Sequence, residues 1–370
     1  MRNSTIEEQI KKIEEEIFNT QKNKATEHHI GKLKAKIARL REESDKRKSK
    51  TTKGKGFAIK KSGDATIGLI GFPSVGKSTL LNKLTDANSR VGEFEFTTLE
   101  VIPGMMKYNG AKIQILDLPG LITGAYKGKG RGREIISAIR NVDLIIFMID
   151  CQNRNHLNLM TEELYKSGIR INQTKPDVII KKTSQGGIKI KSTINLTKLS
   201  EKTIKSISSE YITNGEVLIR KDIDEDQLID VYMNNRIYVS SIVVINKKDL
   251  ISNNELNIRL REIENKGFKV IAISAKKNLE LNKLKRMLFS ELKLIRIFMK
   301  PIGKEPDYEE PLILKKGQKV EDACDKLHKD FIKKFKYAQI WGKSVKYSGQ
   351  KVGLEHQLND KDLMTIIIYR

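Results

Sequence analysis

Ile6, Ile10, Ile13 and Ile17 recur every three or four positions among Glu and Lys, a period that lines one face of a helix over residues 5–20. Thr26 stands where an N-cap would open a second helix. There Ile30, Leu33, Ile37 and Leu40 form the apolar stripe, and Lys32, Lys34, Lys36, Arg39 and Arg41 load the other faces. Two helices across so short a turn predict a hairpin resembling a helix-turn-helix. The alternative is an ordinary hairpin docked on a neighbour, its charges merely solvated. The stretch KRKSKTTKGKG, residues 46–56, has nothing to bury and reads as a basic flexible linker.

From about residue 64 the pattern changes to short apolar runs, each ending in polar residues. Residues 67–70, 112–116, 144–150, 242–245 and 270–273 read as strands, and the run LIIFMID is apolar on both faces, as parallel strands beneath helices are. Residues 157–238 read differently: a helix through Leu164, strands at 178–182 and 188–194, a helix at 201–211 and a strand at 216–220, together an α+β module. After a helix at 281–294, strands at 295–299, 312–314, 338–341 and 363–369 surround one helix at 320–335. That arrangement suggests a β-grasp, and its length predicts a separate domain.

The chemistry-bearing residues sit at the ends of the strands. GFPSVGKST, residues 71–79, follows the first strand and opens a helix, the context of a Walker A loop. Gly71 and Gly76 let the chain turn and approach phosphates, with Phe72, Pro73, Ser74 and Val75 completing the loop. Lys77 reaches the β- and γ-phosphates, the Ser78 hydroxyl can ligate Mg²⁺, and Thr79 continues the helix. In the loop-like EFEFTTL at residues 93–99, Thr98, in preference to Thr97, can complete the Mg²⁺ shell. Asp117 ends the next strand in DLPG, where its carboxylate can hold a Mg²⁺-bound water and the Gly120 amide can meet the γ-phosphate. Asn246, Lys247 and Asp249 of NKKD follow another strand. The Asp249 carboxylate can accept from both guanine N1–H and the exocyclic amine, while Asn246 and Lys247 brace the loop. Ser274, Ala275 and Lys276 close the set.

Five motifs in this order, each at a strand's C-terminal end, predict a GTP- and GDP-binding P-loop GTPase. From Asp117 to Asn246 is 129 positions, whereas a minimal GTPase separates these motifs by roughly sixty. The surplus is the α+β module. The expected fold is α/β: a basic helical hairpin and linker at residues 1–61, a GTPase domain at 62–156 and 239–294 split by an insertion at 157–238, and a β-grasp at 295–370.

Charge and cysteine content narrow the setting. The 70 Lys and Arg exceed the 46 Asp and Glu by 24, favouring a polyanionic partner such as RNA. The alternative is a general lysine bias. Residues 1–61 alone hold 18 Lys and Arg against 9 Asp and Glu, which points to the hairpin and linker as the RNA contact. Cys151 and Cys324 lie far apart, and none of the five histidines has metal-ligand spacing, so neither a disulfide framework nor a zinc site is expected. No apolar run approaches membrane length and no signal peptide is evident, so a soluble cytoplasmic protein, with no membrane or DNA partner, is expected.

TQKNKATEHH at residues 20–29, GFPSVGKSTLL at 71–81, GKGRGRE at 128–134, IRIFMKP at 295–301 and FKYAQIWGKSVKYSGQKVG at 335–353 are more specific than the nucleotide motifs. Across essentially its whole length the sequence resembles the developmentally regulated GTP-binding proteins, a branch of the Obg family. The resemblance implies that the insertion is like a ribosomal-protein domain and that the C-terminal β-grasp is a TGS domain. It also implies association with the ribosome or ribosomal RNA and a dedicated stabilising partner protein; a monomer is expected. Leu121 stands where Ras-like enzymes carry a water-orienting glutamine, so hydrolysis should be slow. Cation-dependent relatives often carry asparagine where this chain has Ser74, which leaves stimulation by K⁺ open. Two other readings stand beside the GTPase switch. One is a GTP-binding RNA scaffold that rarely hydrolyses; the other, an ATP-driven enzyme, is disfavoured by Asp249.

Overall fold

The computed structural model describes residues 5–50, 62–85, 102–118, 132–151 and 155–369. The chain forms two compact bodies, one from Met1–Gly56 with Gln173–Tyr238 and one from Phe57–Asn172 with Val239–Arg370.

In the first body, α1 (Ile6–Asn19) opens with a capping box: Thr5 Oγ1 accepts from Glu8 N–H while the Glu8 carboxylate accepts from Thr5 N–H. Its isoleucine face packs on Leu33, Ile37 and Leu40 of α2 (Glu27–Lys50). Thr26 does not cap α2. Its hydroxyl donates to Gln21 O, and Asn23 Oδ1 accepts from the Ala25 and Thr26 amides instead. Nor does the chain leave the helix at residue 46, because α2 continues to Lys50; the rest of the expected linker lies outside the described residues.

The second face of α2 carries Gly31, Ala35 and Ala38 and meets the inserted module. That module contains β6 (Val178–Lys182), β7 (Ile188–Ser192), α6 (Glu201–Ser208), β8 (Gly215–Ile219) and α7 (Glu225–Met233). Gly31 is a contact residue: a Cβ there would sit 3.2 Å from Ile207 and 3.3 Å from Thr203. The Tyr211 hydroxyl donates to Ala35 O at 3.1 Å, and Lys34 pairs with Glu225 at 2.8 Å. The hairpin is therefore part of the insertion's core. Sequence periodicity finds the large-residue stripe and misses the small one, since Gly and Ala carry no apolar signal. Deleting residues 1–61 should re-expose Ile204 and Ile207, both fully buried, at about 1.5–3 kcal/mol each. We expect the deletion to lower the melting temperature and to raise amide exchange across residues 201–233. Unchanged exchange there would contradict this packing.

In the second body, β1 (Ala65–Ile70), β2 (Ile102–Tyr108), β3 (Ala111–Asp117), β4 (Leu144–Asp150), β5 (Ile169–Ile171), β9 (Ile237–Asn246) and β10 (Lys269–Ala272) form one sheet. Its order is β10-β9-β4-β1-β3-β2, with β5 paired to β9; only β2, which the apolar pattern does not reveal, is antiparallel to its neighbour on this path. Successive residues of β4 feed opposite cores. Leu144, Ile146 and Met148 meet α3 (Lys77–Leu84) and α9 (Leu281–Glu291), while Ile145, Phe147 and Ile149 meet α4 (Gly132–Ile139), α5 (His156–Lys166) and α8 (Asn253–Glu264).

The C-terminal sheet runs β12 (Leu312–Lys315), β11 (Leu294–Met299), β15 (Asp362–Ile368), β13 (Phe335–Trp341) and β14 (Gln350–Val352), with α10 (Val320–Leu327) against one face through Val320, Ala323 and Cys324. The single helix expected at 320–335 is broken. His328 is extended (φ −164°, ψ 132°), and its Nδ1 accepts from Asp330 N–H to start the short α11 (Lys329–Lys333). The β-grasp is not insulated from the larger sheet. Leu294 and Ile313 join the α3 and α9 core, and Lys315 and Lys326 pair with Asp143 and Asp64, each at 2.7 Å. Among the described residues no helix is long and apolar enough to cross a membrane.

Candidate functional site

The loop between β1 and α3 is shaped by its neighbours. A Cβ on Gly71 would lie 2.5 Å from Met148 O, so only glycine lets the loop cross the end of β4. Gly76 has φ +95°, and a Cβ there would lie 2.5 Å from Asn246 Nδ2. Between them Phe72 is half-buried, Pro73 and Ser74 are exposed, and Val75 is fully buried. Ser74 is itself left-handed, with φ 64°. The Phe72 ring stacks on His156 at 4.0 Å between centroids, a contact no motif signals.

Lys77 Nζ donates to Gly71 O at 3.0 Å and Phe72 O at 3.3 Å, arching back across the loop. Burial pushes its pKa below the usual lysine value, and the Asp117 carboxylate opposes that shift. Ser78 Oγ donates to Asp117 Oδ2 at 2.8 Å, joining the first turn of α3 to the end of β3. Burial raises the Asp117 pKa, opposed by the Ser78 hydrogen bond and the Lys77 charge. Hydroxyl, carboxylate and ammonium thus converge at the N-terminus of α3, where backbone N–H groups and the helix dipole favour an anion. Thr79 is exposed one position on. Thr97, Thr98 and Gly120 lie outside the described residues.

Asn246 ties three loops together. Its Nδ2 donates to Val75 O at 2.8 Å, and its Oδ1 accepts from Ala275 N–H at 3.0 Å, both bonds buried. Sequence reading assigns bracing to Asn246 and Lys247 without showing what is braced. The structure gives Asn246 the phosphate loop on one side and the 274–276 loop on the other. Lys247 is left-handed at φ 62°, and its carbonyl accepts from the Cys151 thiol at 3.5 Å. Asp249 is held from two sides: its carboxylate hydrogen-bonds Ser274 and lies 3.2 Å from Lys277 Nζ. These contacts keep its pKa below the usual aspartate value, the Ser274 bond foremost. It is therefore a pure acceptor near neutral pH. Lys276 is exposed, and Lys277, which lies outside the five motifs, is the residue that partners Asp249. Burial and glycine spacing fit a nucleotide phosphate chain at one end, and a fixed double acceptor fits guanine at the other.

Comparison with known proteins agrees with this geometry. Residues 66–182 match the family described as 50S ribosome-binding GTPase, residues 185–294 the C-terminal region of its MMR_HSR1 domain, and residues 295–368 the TGS domain. An uncharacterized GTP-binding protein of Methanocaldococcus jannaschii is 52% identical over 99% of this chain and 93% of its own. Developmentally-regulated GTP-binding protein 2 of Homo sapiens is 46% identical, covering 98% of this chain and 99% of its own. Developmentally-regulated G-protein 3 of Arabidopsis thaliana is also 46% identical, with the same coverage. With identity of this order running from the helical hairpin through the last strand, the chain belongs to the developmentally regulated GTP-binding proteins and is a GTPase with a C-terminal TGS domain.

Proposed function

We propose that this GTPase is a slow guanine-nucleotide switch whose nucleotide state controls docking on the ribosome or another part of the cytoplasmic translation machinery. The observation that carries the switch is the Ser78–Asp117 hydrogen bond, which brings two motifs to one point beside Lys77. Ser78 and, through water, Asp117 would hold Mg²⁺, with Thr98 completing the set. Bound there, Mg²⁺ supplies charge neutralisation at the β- and γ-phosphates. Lys77 exchanges its two loop carbonyls for phosphate oxygens, the amides of residues 71–79 cradle the phosphate chain, and Gly120 meets the γ-phosphate. Asp249 reads guanine, supported by Ser274, Ala275 and Lys276.

Ribosome docking rests on the family description matched at residues 66–182 and on the surplus of 24 positive charges. Cosedimentation with ribosomes in GTP-analogue, GDP and nucleotide-free states tests it. Equal pelleting in all three states would sink the switch. Single-turnover hydrolysis with and without ribosomes separates it from a scaffold that seldom hydrolyses. We further propose a monomer in solution that gains stability from a dedicated partner protein.

Leu121 cannot orient water, so intrinsic turnover is expected on the order of 10⁻⁴ to 10⁻² per second. Lys77→Ala should abolish it through lost phosphate contact. Basal turnover of several per second would contradict this account. Ser74 occupies the loop position tied to K⁺ dependence in relatives, and rates in potassium against sodium salts test whether K⁺ acts here.

A further inference from the structure

We propose that the open face of the three-stranded sheet in the first body binds an RNA backbone without reading its bases. The proposal rests on the ribosome reading above, and it relocates the contact from the hairpin, where composition alone would put it. Four cations in the described part of α2 are paired. Lys34 pairs with Glu225 and Asp226, Lys32 and Arg39 with Glu210, and Arg41 with Glu14.

The sheet is arranged differently. Its order is β6-β8-β7, antiparallel on one side and parallel on the other. Val217 and Ile219 of β8, with Val178, Ile188 and Ile190, face the core. The opposite parity faces away: Lys181, Glu216 and Lys189 form one cross-strand row, and Ile179, Leu218 and Lys191 the next. Lys181, Lys189 and Lys191 are all exposed. Glu216 is the single acid among them, bonded to Lys191 at 3.0 Å. That leaves two net positive charges on six positions.

Three features favour a nucleic acid backbone. Lys189 and Lys191, two residues apart on one strand, stand roughly 7 Å from each other at the backbone, comparable to the separation of successive phosphates. The β6–β7 connection passes Lys189 through Gly186 and Gly187, both at positive φ, so neither of these positions raises a side chain beside that ammonium. The face also has no aromatic ring to stack a base or to anchor a protein or bilayer contact, while Ile179 and Leu218 provide a flat floor for ribose.

The test uses the full-length protein carrying Lys181→Gln, Lys189→Gln and Lys191→Gln. A control carries Lys11→Gln, Lys12→Gln and Lys36→Gln, an equal charge change on exposed hairpin positions. Binding to poly(U), to an RNA duplex and to phosphatidylserine vesicles is followed across a salt series, with GTP hydrolysis as the check on folding. We expect the sheet variant to lose about 10- to 100-fold in RNA affinity and about two to three units of the log–log salt slope. The control should bind RNA like the unaltered protein, and both variants should hydrolyse GTP normally. Equal slopes for sheet variant and unaltered protein would overturn the proposal, as would an equal loss in the control or a loss confined to vesicles. If the unaltered protein binds neither RNA nor ribosomes, the ribosome reading falls and this inference with it; if it binds and the sheet variant is unaffected, this inference alone falls.

Discussion

Asp249→Asn is expected to move nucleotide preference from GTP to xanthosine triphosphate. In the unaltered protein the carboxylate is held by Ser274 and Lys277 and remains ionised, so both of its oxygens accept. Guanine presents two donors to such a group, N1–H and the exocyclic amine. An asparagine keeps one acceptor and turns the other into a donor facing the amine. Each mismatched or unpaired polar group in such a site costs about 1–3 kcal/mol. GTP affinity should therefore fall on the order of 10²- to 10⁴-fold, with a comparable rise for a base that carries a carbonyl at that position. Competition binding of the two triphosphates checks it. Unchanged GTP affinity would show that this loop does not read the base.

Asn246→Ala should weaken every part of the nucleotide site at once. The side chain supplies Val75 O with a donor and Ala275 N–H with an acceptor, and both groups are buried. Its removal leaves two orphans at about 1–3 kcal/mol each, together roughly 2–6 kcal/mol. For a body of this size that corresponds to a melting temperature lower by roughly 4–24 °C. GTP affinity should fall by a similar free energy wherever the loops are disordered before binding. Asn246→Asp separates the two contacts. It preserves the acceptor for Ala275 N–H and sets a carboxylate against Val75 O, so the phosphate loop should suffer while the 274–276 loop stays in place. Amide exchange at Gly76 and Ala275 distinguishes them. An alanine variant that melts and binds GTP like the unaltered protein would refute the bracing role.

The two largest effects thus fall on residues that the motifs already single out, and the physical reason is spacing. Phosphate cradle, metal ligand and base reader each need particular side chains a few positions apart at the end of a strand. Local order alone carries that information, and so the GTPase core, the inserted module and the β-grasp are all legible in the chain. So are β1, β4 and α1, whose apolar periods are unbroken. Other features depend on what lies across the fold. Gly71 and Gly76 read as openings for phosphate, yet the contacts that forbid a Cβ are Met148 O and Asn246 Nδ2. Thr26 looks like a cap until Asn23 is seen to accept from its amide. The α10 helix stops at His328 although Phe331 and Ile332 continue an apolar pattern, because the backbone there is extended and a side-chain cap restarts the helix. The largest revision concerns charge. A count along the sequence places the basic surface in the hairpin, but a count cannot register pairing. Acids from residues 210–226 meet Lys32, Lys34 and Arg39 of α2, while strand parity sets Lys181 and Lys189 on an open face beside the Lys191–Glu216 pair. Which residues carry charge was determined by the sequence; which of those charges remain available was decided only by the tertiary structure, since neutralisation depends on proximity in space.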